Sequence, residues 1–168
     1  MKSTICKIAI SVILSCFILF PLSAKQLFVS PEGDDSADGS SSGNAFKTLS
    51  KAVDAAEEGD EIVLLGIIDI SQEPADKIYN SDAYNKNNQG VKILDKGLTI
   101  SGDPNQTRTK TGFTGNKTTT CLRLDGLNKK VTIRNLTIKE GNPTSDKGAG
   151  CFIRNANVEF DNVSFQNN

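Results

Sequence analysis

Apolar and polar positions alternate in two segments of the chain that repeat each other. Residues 131–142 read VTIRNLTIKEGN, and residues 158–168 read VEFDNVSFQNN. Alternation with a period of two predicts β-strands with one buried face. In each copy the apolar residues change between odd-numbered and even-numbered positions at an asparagine, Asn135 or Asn162. We therefore expect a corner at each of these residues, because asparagine tolerates the left-handed backbone that a corner requires.

Residues 98–102 carry the same alternation one repeat earlier. This segment ends in Gly102, which occupies the position of the corner asparagines. Glycine also accepts a left-handed backbone without steric cost. Gly102, Asn135 and Asn162 are therefore predicted to form one structural corner column.

A second set of apolar pairs recurs at similar intervals. Its members are Ile62 and Leu64, Val91 and Ile93, Leu122 and Leu124, and Cys151 and Ile153. Near-regular recurrence of this kind is typical of solenoids. The predicted fold class is all-β, a right-handed parallel β-helix (solenoid) of about four rungs with an N-terminal capping helix. An antiparallel sandwich is the alternative, since its short strands look similar over any single segment.

The capping helix is predicted from helical spacing of the apolar residues in 46–56. Asn44 lies near its expected start and Gly59 near its expected end. Such a helix would cover the first rung and protect the unpaired strand edge there.

Residues 1–24 have the features of an export signal. Lys2 and Lys7 precede an apolar run at 8–20, and the small residue Ala24 marks the expected cleavage point. The run is shorter than the roughly 20 residues that a membrane helix needs. We therefore expect an exported chain that is secreted or held at the outer membrane or cell surface.

Residues 13–16, Ile-Leu-Ser-Cys, are similar to a lipoprotein cleavage box, which would acylate Cys16. A lipoprotein and a cleaved secretory signal stay open as alternatives. The predicted domains are a signal peptide at 1–24, an N-terminal strand, turn loop and capping helix at 25–60, and a parallel β-helix at 61–168 that ends inside a rung.

Charge and cysteine content exclude some partners and frameworks. The chain has 19 basic and 20 acidic residues, which argues against nucleic acid as a partner. Only Cys121 and Cys151 remain after removal of residues 1–24, too few for a disulfide scaffold. We expect them not to bond, because the alternation around Leu122 points Cys121 outward whereas Cys151 points inward.

The sequence contains no histidine, the commonest general base. The predicted outward positions of the second apolar set are Val63, Lys92, Arg123 and Phe152, which include no carboxylate. We therefore expect no catalytic residues and no cofactor.

Outward charges are expected to pair across neighbouring rungs. Arg134 should lie beside Asp161, and Asp125 beside Arg154. Both pairs would be exposed, so each would contribute only about 0–1 kcal/mol.

Asp34, Ser36 and Asp38 precede Gly39 and imitate the start of a calcium loop. The twelfth position is Ala45, however, where such loops carry a bidentate glutamate. A turn is therefore predicted, and no metal site.

Two polar insertions interrupt the apolar pattern, one between Ile70 and Val91, which contains Tyr79 and Tyr84, and one at 103–120. Long loops on a rigid scaffold either bind ligands or are variable surface, and ligand-binding residues stay unknown. Asn-x-Ser/Thr triplets begin at Asn105, Asn116, Asn135 and Asn162.

Residues 28–39, FVSPEGDDSADG, and 46–64, FKTLSKAVDAAEEGDEIVL, resemble the amino-terminal entry of secreted bacterial pectate-lyase-like β-helix proteins. GAGCFI at 148–153 with FQNN at 165–168 is similar to the paired motifs of the polymorphic outer membrane protein repeat family. The repeat-motif residues are Gly148, Ala149, Gly150, Phe165 and Asn168.

These resemblances imply an exported, surface-exposed or secreted module that is non-catalytic and serves adhesion or surface display. The alternative is a pectate-lyase-like carbohydrate-active or polysaccharide-binding domain. The implied partner is a host or cell-surface glycan or protein. Self-association is also expected through the last rung, which no closing helix follows in this sequence.

Overall fold

A computed structural model describes residues 24–78, 90–142 and 148–168. The predicted signal peptide, Cys16, Tyr79 and Tyr84 lie outside these described residues, apart from Ala24. The strands in chain order are β1 (Gln26–Val29), β2 (Glu61–Leu64), β3 (Ile67–Asp69), β4 (Val91–Lys92), β5 (Thr99–Gly102), β6 (Gly112–Thr114), β7 (Leu122–Arg134), β8 (Thr137–Lys139), β9 (Cys151–Asp161) and β10 (Ser164–Gln166). One α-helix, α1 (Leu49–Ala55), and three 3₁₀ helices (Ser42–Asn44, Ile70–Gln72 and Arg108–Lys110) complete the described part.

The larger sheet is parallel, with strand order β1-β2-β5-β7-β4 and β9 paired with β7. Its register stacks apolar side chains directly over one another: Leu27, Ile62, Ile100, Ile133 and Phe160. Stacking like on like in this way buries the inner face of the sheet continuously.

The smaller sheet is also parallel, in the order β10-β8-β6-β3. It stacks Ile68, Phe113, Ile138 and Phe165. Burial decreases along this stack, because Phe113 and Ile138 are fully buried whereas Phe165 is 50% exposed. The apolar core contains residues of both sheets and of α1, and it is least covered at β9 and β10.

The predicted fold class, an all-β right-handed parallel β-helix, is wrong. The described residues form two parallel sheets and an α-helix, which gives the chain a mixed α/β character, and no closed solenoid is found among them. The physical reason is that recurring apolar pairs report parallel pairing and register. They do not report whether the strands close into a coil, and parallel sheets of any architecture share the same buried pattern.

Helix α1 is shorter than the predicted helix and begins later. Thr48, and not Asn44, is its N-cap, and the side chain of Thr48 accepts a hydrogen bond from the Lys51 amide. Asn44 ends a separate 3₁₀ helix, and the helix stops at Ala55, before Gly59. A seven-residue helix is marginal by itself in water, so contacts from elsewhere in the chain must stabilise it.

Two distant side chains hold the ends of α1. At the first turn, the Glu73 carboxylate accepts hydrogen bonds from the amides of Leu49 at 2.6 Å and Ser50 at 3.1 Å. At the last turn, the Lys96 ammonium donates to the carbonyls of Val53 at 2.9 Å and Ala56 at 2.8 Å. The negative carboxylate thus lies at the positive end of the helix dipole, and the positive ammonium lies at its negative end.

The second apolar column also requires correction. Ile62 pairs with Ile100 in the larger sheet, and does not align with Val91, which pairs with Leu122. Ile62 and Leu64 therefore belong with the first repeat. The remaining pairs align as predicted, with Leu122 opposite Cys151 and Leu124 opposite Ile153.

The insertion at 103–120 is not loop throughout. It contains β6, whose central residue Phe113 is fully buried. The sequence hides this strand because Phe113 is its single large apolar residue, so no alternation is visible. In the first insertion, Ile78 forms an isolated bridge to Val91.

Candidate functional site

Asn135 and Asn162 lie at equivalent corners, where β7 passes to β8 and β9 passes to β10. Their φ angles are 54° and 51°, in the left-handed region that the sequence predicts for them. The Asn162 side-chain amide donates to the Asn135 side-chain oxygen at 3.0 Å. A side-chain hydrogen bond therefore joins the two corners across neighbouring strands, and we call this contact the amide ladder.

Gly102 does not share this conformation, so that part of the corner-column prediction is wrong. It ends β5 as an extended strand residue paired with Leu64, and its φ lies outside the left-handed region. A Cβ on Gly102 would lie 2.2 Å from both the Asn135 carbonyl oxygen and the Thr111 hydroxyl oxygen. Glycine is needed here for close approach of the backbone and not for a positive φ.

Arg108 extends the ladder sideways. Its guanidinium Nη1 donates to the Asn162 side-chain oxygen at 2.6 Å. The backbone carbonyl of Arg108 accepts a hydrogen bond from the Thr137 hydroxyl at 2.9 Å, which ties this 3₁₀ helix to β8. Arg108 is thus held both at its guanidinium and at its backbone.

The residues just before Arg108 form a turn built on Asp103. The Asp103 carboxylate accepts from the Asn105 amide at 2.8 Å, and the Gln106 amide donates to the Asp103 carbonyl at 3.0 Å. The Gln106 side chain donates to the Leu65 carbonyl at 3.0 Å, which fastens the loop to the end of β2.

The 103–108 segment and the two corner asparagines line an open groove of about 420 Å³, which we call the corner groove. It is lined by Asp103, Pro104, Gln106, Thr107, Arg108, Asn135 and Asn162. Its polar side-chain groups are amides, one hydroxyl, one carboxylate and one guanidinium, which can donate to and accept from a hydroxyl-rich ligand. Because hydrogen bonds to the scaffold already hold them, little side-chain entropy would be lost on binding.

A second cluster lies on the outward side of β7 and β9. The Arg154 guanidinium donates to Asp125 through Nε at 2.9 Å and Nη2 at 2.7 Å, and Arg123 donates to the same carboxylate at 2.7 Å. Arg123 stacks 4.4 Å from the centre of the Phe152 ring. The predicted pair between Asp125 and Arg154 is confirmed.

This cluster controls the charge of Asp125. Hydrogen bonds from Arg154, followed by those from Arg123, lower the pKa of Asp125 to about 2 from its ordinary value of 3.8, although burial opposes them. Arg123, predicted to face solvent, is only 2% exposed. Its outward direction is correct, but Phe152 covers it.

The other predicted charge pair is wrong in its partner. Arg134 lies opposite Asp161 in the register, as expected, but its guanidinium donates to Glu61 at 2.8 Å. Ser101 donates to the same Glu61 oxygen at 2.7 Å. Burial acts to raise the pKa of Glu61, but hydrogen bonds from Arg134, Gln26 and Ser101 outweigh it and lower the pKa.

The calcium-like segment consists of turns. Asp34 accepts from the Ser36 amide at 2.8 Å, and Asp38 accepts from the Ser40 amide at 2.9 Å. These backbone hydrogen bonds lower the pKa of both carboxyl groups. Gly39 has a φ of 70°, as an Asp-Gly turn requires. Within residues 24–78, 90–142 and 148–168, no group of three Cys, Asp or Glu side chains is placed to hold a metal ion.

Cys121 and Cys151 are free thiols, but the predicted reason is wrong. Cys121 is completely buried, and its thiol donates to the Lys139 carbonyl at a sulfur–oxygen distance of 3.6 Å. The alternation does not extend back to Cys121 because β7 begins only at Leu122. Burial raises the pKa of Cys121 to about 12 and also raises the pKa of Cys151, so both thiols are poor nucleophiles at neutral pH.

The repeat-motif residues meet at another turn. The Asn168 side chain accepts from the Gly141 amide and donates to the Ile138 carbonyl, both at 2.9 Å. A Cβ on Gly150 would lie 3.2 Å from the Asn168 side chain. The Ala149 carbonyl accepts a hydrogen bond from the Cys121 amide, and the Gly150 carbonyl accepts one from the Leu122 amide at the start of β7. Gly148, in turn, accepts from the Thr120 hydroxyl, and Phe165 packs edge-on against Phe160. The pairing of the two motifs is therefore structural.

Sequence reasoning missed Glu73, Phe113 and Arg108. The first two act through contacts that are distant in the chain. For Arg108, the only available signal is its place in a polar insertion.

No family model matches the sequence, and no curated protein is significantly similar to it. The resemblances to pectate-lyase-like and polymorphic outer membrane proteins therefore stay predictions. In the part of the chain that the structure describes, no helix is long and apolar enough to cross a membrane.

Proposed function

We propose that this protein is an exported, non-catalytic module that serves adhesion or surface display and contacts a hydroxyl-rich glycan through the corner groove. The observation that carries this proposal is the hydrogen-bonded row of Arg108, Asn162 and Asn135 along one open groove.

The chemistry of the groove favours a polysaccharide over an apolar ligand. Neighbouring sugar hydroxyls present donors and acceptors in pairs, which suit side-chain amides and the fork of a guanidinium. Arg108 additionally favours a glycan that carries carboxylate groups. Asp103, which also lines the groove, offers an acceptor for a hydroxyl.

The roles of three carboxylates with a shifted pKa support a non-catalytic module. Asp125 holds two arginines, Glu61 holds Arg134, and Glu73 caps α1. A carboxylate that acts as a general acid or base needs to be free to exchange a proton with a substrate. These three groups are instead engaged in stabilising the fold.

Export is proposed from residues 1–24, whose basic start, apolar run and small terminal residue have the order of a secretory signal. A glycan at a cell surface is the kind of ligand that such a protein would meet.

The proposal is tested by titrating the purified chain against neutral and carboxylate-bearing polysaccharides. Arg108→Ala should weaken binding about tenfold, since a charged hydrogen bond is worth about 1.5 kcal/mol. Lys110→Ala is the matched control, because Lys110 has the same charge in the same 3₁₀ helix but does not line the groove.

Equal affinities of the two variants would contradict the groove as the site, and so would failure to bind any polysaccharide. New unsaturated sugar ends during the titration would instead indicate the pectate-lyase-like enzyme and overturn the non-catalytic assignment.

A further inference from the structure

Asp60, the residue just before β2, carries a buried carboxylate that is 3% exposed. Its Oδ1 accepts a hydrogen bond from the Lys25 backbone amide at 3.0 Å, and its Oδ2 accepts one from the Glu57 amide at 2.8 Å. Both of these close donors are neutral. The Lys25 side-chain ammonium lies 3.6 Å from Oδ2, and its side chain is 47% exposed. That ammonium therefore offsets the buried negative charge only in part.

The backbone nitrogen of Lys25 is held against Asp60 by the larger sheet. The Lys25 carbonyl accepts a hydrogen bond from the Glu61 amide at 3.0 Å, and the next residue, Gln26, begins β1 and pairs with Glu61. The Asp60 carbonyl accepts from the Thr99 amide at 3.0 Å, which fixes the other partner. The contact is thus set by neighbouring strands and needs no residue before Lys25.

The same nitrogen belongs to the peptide bond at which the export signal is expected to be cut. Ala24 and Lys25 are both exposed, and both line an open groove beside β1. We propose that cleavage after Ala24 converts the Lys25 amide into an α-ammonium that forms an ion pair with Asp60, so that the mature chain is more stable than the uncut one. This inference rests on the export that is part of the proposed function.

Cleavage is a hydrolysis of the kind that a signal peptidase catalyses. The bond between the Ala24 carbonyl carbon and the Lys25 nitrogen breaks, the oxygen of one water molecule completes the Ala24 carboxylate, and its two hydrogens go to the nitrogen as protons. The nitrogen then carries three hydrogens and a positive charge. Its hydrogen bond to Asp60 Oδ1 becomes charge-assisted and therefore stronger, while the Lys25 side chain stays beside Oδ2.

The ion pair makes the stability of the mature chain depend on alkaline pH. Asp60 should raise the pKa of the Lys25 α-amino group above the ordinary value of about 8, because a neighbouring carboxylate favours the charged form. The gain in stability is then complete below about pH 8 and is lost as the pH rises through the pKa of the folded chain. Carboxyl groups and lysine side chains ordinarily change charge outside this range. The other ionisable groups around the nitrogen are the Lys25 side chain, Asp38, Glu57 and Glu61.

Urea unfolding of two chains tests the ion pair. One chain begins at Lys25, released from a fusion by a protease that leaves no extra residue, and the other keeps Ala24, so that its Lys25 nitrogen stays an amide. Both contain the apolar core, whose first residue is Leu27. At about pH 7 the chain that begins at Lys25 should have a folding equilibrium constant about tenfold larger. This difference should disappear by about pH 10.

Asp60→Asn in both chains should abolish the difference, because the amine then has no carboxylate to pair with. Asp38→Asn is the matched control and should leave the difference unchanged, since Asp38 lines the same groove as Ala24 but accepts from Ser40. If Asp60→Asn does not fold, the pH dependence of the unsubstituted chains still decides. Equal stabilities at about pH 7, or a difference that persists at about pH 10, would overturn the proposal.

The processing step is checked separately, by mass spectrometry of the chain recovered after secretion from a bacterial host. A chain that begins at Lys25 is the expected product. An uncut chain, or one cut before Cys16, would overturn the proposal because the Lys25 nitrogen would remain an amide. Polysaccharide binding is measured on the chain that begins at Lys25, so that a failure of the corner groove is distinguished from a failure of the ion pair.

Discussion

At the corner asparagines, backbone conformation and side-chain hydrogen bonding depend on the same residue. Asn135 combines a φ of 54° with a side-chain oxygen that accepts from Asn162. Asparagine is one of the few residues that provide both. The corner could therefore be predicted from the sequence, because an asparagine stands where the apolar residues change between odd and even positions.

A pair of substitutions separates the two contributions. Asn135→Gly keeps the backbone conformation and removes the ladder, whereas Asn135→Val also forces a β-branched residue into the left-handed region. We expect Asn135→Val to be less stable than Asn135→Gly by about 1–2 kcal/mol in urea unfolding. Equal unfolding free energies would contradict a conformational role for Asn135.

Asp125 is expected to make stability depend on acid pH. Its pKa of about 2 lies below the ordinary 3.8, so its stabilising contribution is complete above about pH 4 and is lost as the pH falls towards 2. Asp125→Asn should lower the free energy of unfolding at neutral pH by about 1–3 kcal/mol and reduce this loss between pH 4 and pH 2. Urea unfolding at several pH values measures both effects.

Asp161→Asn is the control, because Asp161 is a carboxylate at the end of β9 outside the arginine cluster. An acid dependence that is the same in Asp125→Asn as in the wild type would rule out the cluster as its source.

At the scale of elements, α1 depends on residues that its own sequence does not contain. Its seven residues are held at one end by Glu73 and at the other by Lys96. Burial raises the pKa of Glu73 despite its hydrogen bonds from Ser50 and Leu49. The capping hydrogen bonds therefore offset part of the cost of burying this carboxylate.

Glu73→Gln should lower the free energy of unfolding by about 1–2 kcal/mol, because glutamine has one acceptor oxygen where two backbone amides need partners. Thermal unfolding followed by circular dichroism gives the shift. Glu57→Gln, an exposed glutamate after the helix, should change little. A wild-type midpoint in Glu73→Gln would show that α1 does not need this cap.

The strands show what sequence patterns can and cannot predict. The register of β7 on β9 follows from local alternation and is correct, from Leu122 opposite Cys151 to Arg134 opposite Asp161. Strand β6 was missed because only Phe113 marks it. The end contacts of α1 could not be predicted, since they join residues more than 20 positions apart.

At the scale of the whole molecule, the two parallel sheets place distant segments side by side. The predicted β-helix was wrong because stacked apolar pairs show which strands are neighbours but do not show whether the sheets close into a coil. The corner groove illustrates the same limit, since the sequence indicates Asn135 and Asn162 but not that Arg108 lies beside them. That contact depends on how the 103–120 segment returns to the sheet.

The most direct test of the account is amide hydrogen exchange of the full chain with and without a polysaccharide that it binds. We predict protection of residues 103–108 and of the corners at Asn135 and Asn162, with exchange in α1 unchanged. Protection confined to other segments, such as the turns at Asp34 and Asp38, would contradict the corner groove as the functional site.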